Sequence, residues 1–272
     1  MASPVAAIST AQDDTKTDNE CMTPLEIPAL PDEAILLCEV GSTAHGTGID
    51  GGEDHDEIGV VIESASEVFG LGEGRRTVMQ RTQPEGTQSG PGDIDRTLHS
   101  LRRFLKLSAS GNPSILMVLW SPIEHATPLG LELRALAPAF LGRHIIPRYR
   151  GYMQGQAQRL LGKRGSGGRP ELIEKYGYDT KYAMHCARLG FQCQELLFTE
   201  ELVFPIQGEP GEWLRAVRYG DVPFSEWWER VLHLDGLLGE HMSIESIAEG
   251  PDVERIVAWS EEAHRRHWQG ER

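Results

Sequence analysis

The sequence lacks the features that mark membrane, secreted and metal-cluster proteins. No apolar run approaches the roughly 20 residues that a membrane-spanning helix needs. The N-terminus has no basic segment followed by an apolar stretch, so we expect no signal peptide and a cytoplasmic location. None of the four cysteines belongs to a Cys-x-x-Cys pair, which favours buried free thiols in a reducing compartment.

Three catalytic signatures are also missing. The ten histidines form no His-x-x-x-His pattern, so a zinc hydrolase is poorly supported. No Gly-Lys-Ser/Thr ends the glycine-rich segment near residue 50, which excludes a Walker A loop, and no Gly-x-Ser-x-Gly elbow is present. What remains is the composition of a globular protein of 272 residues, 39% hydrophobic and 25% charged, long enough for one large domain or two smaller ones.

Charge is distributed unevenly along the chain. The net charge of −15 argues against a general nucleic-acid binder, because such proteins are usually basic. Between Glu132 and Glu171, however, there is no acidic residue, and this stretch contains eight basic ones: Arg134, Arg143, Arg148, Arg150, Arg159, Lys163, Arg164 and Arg169. The stretch is either a helical surface whose counter-charges come from elsewhere in the fold or a basic wall that faces a triphosphate or an RNA backbone.

The most informative segment lies around residue 50. An apolar run, 35–40, leads into Gly41-Ser42, and after a glycine-rich loop Asp54 and Asp56 stand one residue apart at the start of a second apolar run. On a strand, side chains two residues apart point to the same side. Two carboxylates so close repel each other unless a cation lies between them, and Mg²⁺ binds carboxylates together with substrate phosphates. The segment therefore predicts a metal–triphosphate site, against the alternative of a polar turn with two solvated acids.

This segment resembles the signature of the polymerase-beta-like nucleotidyltransferase superfamily. The similarity is greatest to a branch of predicted nucleotidyltransferases of bacteria and their phages, some encoded near RNA ligases. It rests on the string Gly41-Ser42-x-Ala44-His45-Gly46…Asp54-x-Asp56-x-x-Gly59-Val60.

Two further strings are similar to the same branch, in the same order along the chain. The first is Asp95…Leu101-Arg102-Arg103-Phe104-Leu105…Gly111-Asn112-Pro113, and the second is Tyr178-Asp179-Thr180-Lys181-x-Ala183-Met184-His185-x-x-Arg188-Leu189. The first implies that Asp95 is the third carboxylate of a two-metal site, with Asp93 in reserve. It also departs from the branch, which has Lys where this chain has Arg103.

The resemblance implies a set of site residues. Asp54, Asp56 and Asp95 would be catalytic and would bind Mg²⁺, with Mn²⁺ as an alternative. The nucleotide-binding residues would be Gly41, Ser42, His45, Lys181, His185 and Arg188. Two of these assignments have structural alternatives. His45 could only cap a turn, and Lys181, His185 and Arg188 could form a polar stripe that borders the core-facing side of their helix without binding a ligand. His55 lies between the two acids and should point to the opposite face, so we do not expect it to be a ligand.

The expected fold is an α/β (α+β) polymerase-beta-like core with a short mixed sheet, followed by a helical domain. We expect a disordered leader over 1–25, the core over 26–125, and the helical domain over 126–272 with a flexible loop near 162–170. Strands are predicted at 34–40 and 57–63 and a long connection at 70–92. Apolar spacing predicts a helix that includes Leu98 and continues to Leu107, helices at 115–120, 129–141 and 145–161, and a mostly helical remainder.

The expected activity is Mg²⁺-dependent transfer of a nucleoside monophosphate from a nucleoside triphosphate to an acceptor hydroxyl, with release of pyrophosphate. RNA or tRNA is one acceptor, bound through the basic stretch 134–169; a protein hydroxyl and a small molecule are others. Two other functions stay open: a catalytically degenerate module that binds a nucleotide or a partner, and a metal-dependent phosphohydrolase that uses the same acids on water. The sequence specifies neither the base nor the oligomeric state.

Overall fold

A five-stranded mixed sheet organises the first part of the chain. The structure is a computed structural model, and it describes residues 27–49, 54–71, 77–84, 87, 89–163 and 168–270. The strands are β1 (Ala34–Val40), β2 (His55–Val61), β3 (Thr77–Arg81), β4 (Ile94–Ser100) and β5 (Ile123–Ala126), in the spatial order β3-β4-β2-β1-β5. β2 and β4 are parallel, and the other neighbours are antiparallel. The short mixed sheet predicted for the core is confirmed.

Helices flank this sheet and make up most of the rest. They are α1 (Gly41–His45), α2 (Ala65–Phe69), α3 (Leu101–Ala109), α4 (Pro113–Leu116), α5 (Pro128–Ala135), α6 (Ile145–Leu160), α7 (Pro170–Tyr176), α8 (Thr180–Thr199), α9 (Gly208–Tyr219), α10 (Phe224–His241) and α11 (Val253–Trp268), with 3-10 turns at Met117–Leu119 and Ala137–Phe140. None of the helices in the described ranges is both long and apolar enough to cross a membrane. The leader predicted over 1–25, the loop residues 50–53, and Arg164 in the loop predicted near 162–170 lie outside the described residues.

The predicted helix that included Leu98 was wrong at its N-terminal end. Residues 94–100 form strand β4, and the helix begins at Leu101 with Ser100 as its N-cap. Leu98 packs with Leu37 and Val61 in a small cluster beside the sheet, whereas Leu101 belongs to the main core. A spacing of three residues between two leucines suits a helix, but here it spans the junction between two elements.

Other boundaries also differ from the sequence prediction. The predicted connection 70–92 contains edge strand β3, and β5 was not predicted; both are short, with mostly exposed side chains, so their apolar pattern is weak. The single helix expected over 129–141 is divided into α5 and a 3-10 turn. The division occurs at Pro138, whose nitrogen has no hydrogen to donate to a helix.

The main apolar core continues from the sheet into the helices. It includes Ile35 on β1, Phe104 on α3 and Ala263 on α11. The last helix returns to the sheet side, where Trp268 Nε1 donates to the carbonyl oxygen of Glu63 at 2.9 Å. The proposed division near residue 125 into a core and a helical domain stays a prediction.

Candidate active site

Three aspartates converge at one edge of the sheet. Asp54 directly precedes β2, Asp56 lies on β2, and Asp95 lies on the parallel neighbour β4, where the register pairs it with Asp56. Each offers a carboxylate oxygen, and these oxygens lie within 4.8 Å of one another. The fold therefore joins two acids that are close in sequence with a third that lies about 40 residues away.

The electrostatics of this cluster suit a cation. Burial, followed by the charges of Asp54 and Asp95, raises the pKa of Asp56 to about 6, and Lys181 opposes this shift only in part. A carboxylate in this environment is stabilised by a cation, and three carboxylate oxygens are the donor set that Mg²⁺ and Mn²⁺ bind. The residues present thus fit a divalent metal ion.

Asp95 already has two partners. Its Oδ1 accepts a hydrogen bond from Arg81 Nε at 2.6 Å, and its Oδ2 accepts one from Ser89 Oγ at 2.7 Å. Burial favours a higher pKa for this carboxyl, but the hydrogen bonds from Arg81 and Ser89 outweigh it and hold the pKa below the usual value. Asp95 is therefore oriented and ionised in the absence of a ligand.

Asp93, the reserve candidate, has a different environment. It accepts hydrogen bonds from Gln83 Nε2 at 2.6 Å, from the Gly90 amide at 2.7 Å and from Thr82 Oγ1 at 3.1 Å. These bonds, that from Gln83 above all, lower its pKa. Asp93 thus ties together the segment before β4 and is not a member of the three-acid cluster.

Gly41 is required where β1 turns into α1. Its φ of +77° lies in the left-handed region that favours glycine, and a Cβ at this position would collide with Oδ2 of Asp56. The next residue, Ser42, lines an open cleft together with Asp54. The Gly-Ser pair therefore lets the chain pass directly beside the acids.

His45 is buried at the end of α1. Its ring packs against Phe204 at a centroid distance of 5.1 Å, and among the described residues neither ring nitrogen has a hydrogen-bond partner. Burial, followed by the charges of Arg188 and His185, holds its pKa well below the usual value. His45 is thus a neutral ring beneath the cleft, and its contact with a nucleotide stays a prediction.

The polar stripe of α8 faces the same region. Asp179 caps the helix by accepting hydrogen bonds from the amides of Lys181 and Tyr182, each at 3.0 Å. Lys181 acts electrostatically on Asp56, whereas His185 and Arg188 act on His45. The stripe therefore extends from the three acids to the buried histidine.

The two inner members of this stripe, His185 and Arg188, are half-buried. Burial, together with the positive charges of Arg188, Arg159 and Lys181, lowers the pKa of His185 to about 3. Burial also lowers the pKa of Arg188 to about 10, and its Nε has no hydrogen-bond partner within the described ranges. Within the described ranges the guanidinium of Arg188 therefore has no ion-pair partner, and its charge acts on the ring of His45.

The structure divides the basic stretch 134–169 into two groups. Four of its arginines have internal partners: Arg134 with the Ser121 carbonyl, Arg143 with the Met242 carbonyl, Arg150 with Asp235, and Arg169 with Asp179. Arg148 and Arg159 lie exposed on α6 and make no hydrogen bond or ion pair with the rest of the described chain. The interpretation as a helical surface with counter-partners elsewhere in the fold fits the first four arginines, and a phosphate-facing role of Arg148 and Arg159 stays a prediction.

His55 points away from the acids, as expected for a residue between them. Its Nδ1 lies 3.2 Å from Glu39 Oε1 and its Nε2 lies 3.3 Å from Glu57 Oε1. His55 nevertheless lines the open cleft beside Asp54, and so do Arg215 and Tyr219 of α9, two residues that sequence reasoning did not select. Their four-residue spacing on a helix was the only available indication, and many surface pairs share it.

The raised pKa of Asp56 leads to a stability prediction. Folding raises this pKa above its unfolded value near 4, so the ionised carboxylate destabilises the metal-free protein above about pH 6, and the penalty disappears as the pH falls below 4. Asp56→Asn should therefore raise the free energy of unfolding by about 1–2 kcal/mol at pH 8 and by almost nothing at pH 4. Urea denaturation at both pH values, in the presence of a chelator, measures this. A loss of stability at pH 8 would contradict it.

One solved structure that matches the chain is a nucleotidyltransferase-like protein from Exiguobacterium sibiricum 255-15, with a TM-score of 0.28 and 11% identity over 85% of this chain and 72% of that one. No curated protein matches the sequence. The model of the RlaP family, described as the RNA repair pathway DNA polymerase beta family, matches residues 19–210, which is most of the chain. The chain therefore belongs to this polymerase-beta-like nucleotidyltransferase family.

Proposed function

We propose that the protein is a Mg²⁺-dependent nucleotidyltransferase that moves a nucleoside monophosphate from a nucleoside triphosphate to an acceptor hydroxyl. The observation that carries this proposal is the convergence of Asp54, Asp56 and Asp95 within 4.8 Å of one another, beside an open cleft. A metal-dependent phosphohydrolase would use the same acids, so the identity of the acceptor distinguishes the two reactions.

The roles of the residues follow from their positions. Asp54 and Asp56 would hold Mg²⁺, which when bound neutralises charge on the triphosphate and favours departure of pyrophosphate. Asp95 accepts the proton of the acceptor hydroxyl, directly or through water. The acceptor oxygen forms a bond to the α-phosphorus, and the bond from that phosphorus to the bridging oxygen breaks, so that pyrophosphate leaves with the electron pair.

The positive side chains supply the remaining electrostatics. Ser42 and the backbone after Gly41 position the phosphates from the sheet side. Lys181 and Arg188 approach from α8 with their positive charges, together with the neutral rings of His185 and His45. Fixed dipoles and charges around a reacting phosphate supply most of the rate enhancement in reactions of this kind.

An RNA acceptor is supported by two observations. The family description refers to RNA repair. On α6, Arg148, Tyr152 and Arg159 are exposed and share one helical face, and Arg159 acts electrostatically on His185. A positive face with an aromatic side chain suits a single-stranded backbone.

The activity is tested with α-labelled nucleoside triphosphates, Mg²⁺, and total RNA or total protein. Label in RNA or protein supports transfer and identifies the acceptor class. Release of free nucleoside monophosphate instead would indicate a phosphohydrolase, and retention of all label in the triphosphate would indicate a binding module.

The α6 face is tested by reversing its charge. Arg148→Glu combined with Arg159→Glu should weaken binding of a single-stranded RNA and reduce the slope of log K against log salt by about 2, since each phosphate contact contributes roughly one unit. Arg102→Glu combined with Arg255→Glu is the matched control, because both arginines are exposed on other helices. Equal effects of the two double variants would show that only the net charge matters.

A further inference from the structure

We infer that Arg215 and Tyr219 of α9 form the helical side of the nucleotide site, with Arg215 on the phosphates and Tyr219 against the base. The inference rests on the proposed function, because it assigns additional residues to the same site. Both residues lie beyond residue 210, where the match to the family model ends.

The first observation is the shape of the cleft. Its volume is about 620 Å³, and small-molecule sites commonly measure roughly 300–1,000 Å³. Ser42, Thr43 and Asp54 line it from the sheet side, and Arg215 and Tyr219 line it from α9. A nucleotide with its phosphates near Asp54 would therefore have α9 on its other side.

The second observation is the state of Arg215. Within the described ranges its guanidinium makes no hydrogen bond or ion pair, whereas other arginines nearby have partners: Arg218 donates to Thr180 Oγ1 at 3.5 Å, and Arg230 donates to Glu209 at 2.6 Å. Its Nη1 lies 3.5 Å from the position that a Cβ on Gly211 would occupy, so the side chain extends back along its own helix. Arg215 is thus a cation available to an anion in the cleft.

The third observation concerns the position of Tyr219 on the same helix. α9 buries Trp213, Leu214 and Val217 against the rest of the fold, while Tyr219, four residues after Arg215, is 39% exposed. Residues four apart lie on one helical face, so the aromatic ring and the guanidinium face the cleft together. A ring of this kind stacks on a nucleobase, and a guanidinium binds phosphate oxygens with charge-assisted hydrogen bonds.

The segment before α9 holds this helix beside the sheet. The amide of Ile206 donates to the carbonyl oxygen of His45 at 3.2 Å, and Pro205 packs so closely on Gly46 that a Cβ there would lie 2.7 Å from the proline Cβ. The two walls of the cleft are therefore connected directly at the end of α1.

The test compares equilibrium binding of ATP, adenosine and inorganic tripolyphosphate, each with Mg²⁺. Arg215→Met should weaken ATP and tripolyphosphate about tenfold or more and leave adenosine unchanged, because only the phosphates lose a charged hydrogen bond. Tyr219→Ala should weaken ATP and adenosine about fivefold or more and leave tripolyphosphate unchanged, while Tyr219→Phe should retain affinity. The four common triphosphates are compared in the same way to test base preference.

The matched controls are Arg255→Met and Phe69→Ala, since Arg255 is exposed on α11 and Phe69 is an exposed aromatic residue on α2. Unchanged thermal unfolding midpoints show that each variant is folded. If the wild-type protein binds ATP, but Arg215→Met and Tyr219→Ala change the affinity for ATP no more than their control variants do, the inference is overturned and the proposed function stands. If the wild-type protein binds no nucleotide, both are overturned.

Discussion

Replacing Asp54 or Asp56 with alanine is expected to lower Mg²⁺-dependent transfer of the nucleoside monophosphate by about a thousandfold. The physical reason is that each carboxylate supplies part of the charge that holds the metal against the triphosphate, and loss of one preorganised electrostatic contact costs about 10²–10³ in rate. The measurement is the initial rate of label transfer from α-labelled nucleoside triphosphate, at saturating Mg²⁺ and again with Mn²⁺.

The loss of activity should not be accompanied by unfolding. Because the ionised Asp56 destabilises the metal-free fold, Asp56→Ala should keep or raise the free energy of unfolding while it removes activity. Asp32→Ala is the matched control, since Asp32 is exposed and lies just before β1. Full activity of both Asp54→Ala and Asp56→Ala would contradict the metal assignment. An equal loss of activity in Asp32→Ala would contradict it as well.

Replacing Asp179 with alanine is expected to be the most destabilising single change to a polar residue in the site region, at about 3 kcal/mol. The carboxylate is fully buried and accepts hydrogen bonds from the Lys181 and Tyr182 amides at 3.0 Å and from the Arg169 amide at 2.7 Å. It also pairs with the guanidinium of Arg169 at 3.1 Å. Its removal leaves three donors and one charge without their acceptor.

The comparison that isolates this effect uses a second helix cap. Asp252 caps α11 by accepting from the Arg255 amide at 3.0 Å but is exposed, so Asp252→Ala should cost only about 1 kcal/mol. Asp179→Asn keeps an acceptor oxygen and loses the charge, so an intermediate loss is expected. Urea denaturation provides all three values. Equal losses for Asp179→Ala and Asp252→Ala would show that burial of the Asp179 network adds nothing to an ordinary cap.

Asp179 also explains how the sequence string around it, residues 178–189, affects the geometry of the site. By capping α8 it sets where the helix begins, and the position of the first residue determines the direction of Lys181, His185 and Arg188 one to three turns later. The sequence predicted that these three side chains share a stripe. The structure adds that the stripe passes from Asp56 to His45, since Lys181 acts on the first and Arg188 on the second.

Patterns confined to one element were the ones that the sequence predicted well. A short continuous apolar run located β1 over the same residues, and helical spacing located α6 to within one residue of its C-terminal end. Prediction was weaker where two elements join: one apolar pattern ran through the end of β4 into α3, because Leu98 and Leu101 have a helical separation. The edge strand β3 was not predicted because most of its side chains are exposed, so its sequence carries no clear apolar pattern.

The other features of the candidate site depend on contacts between residues that are far apart in the sequence. The choice between Asp93 and Asp95 depended on the register of β4 against β2, which sets Asp95 opposite Asp56. The basic stretch 134–169 was one block in the sequence, but Asp235 and Asp179 neutralise two of its arginines from other helices. No local pattern reports which distant acid will reach a given arginine.

The sequence by itself determined that Asp54 and Asp56 point to one side, that Gly41-Ser42 precedes them, and that α8 carries a polar stripe. These are properties of spacing within an element, which the repeat of a strand or a helix imposes on any chain. Only the tertiary structure decided that Asp95 completes the cluster, that Arg148 and Arg159 have no partner among the described residues, and that Arg215 and Tyr219 line the cleft. The packing that joins distant elements fixes these relations, because burial of a shared apolar core sets strand register and helix position together.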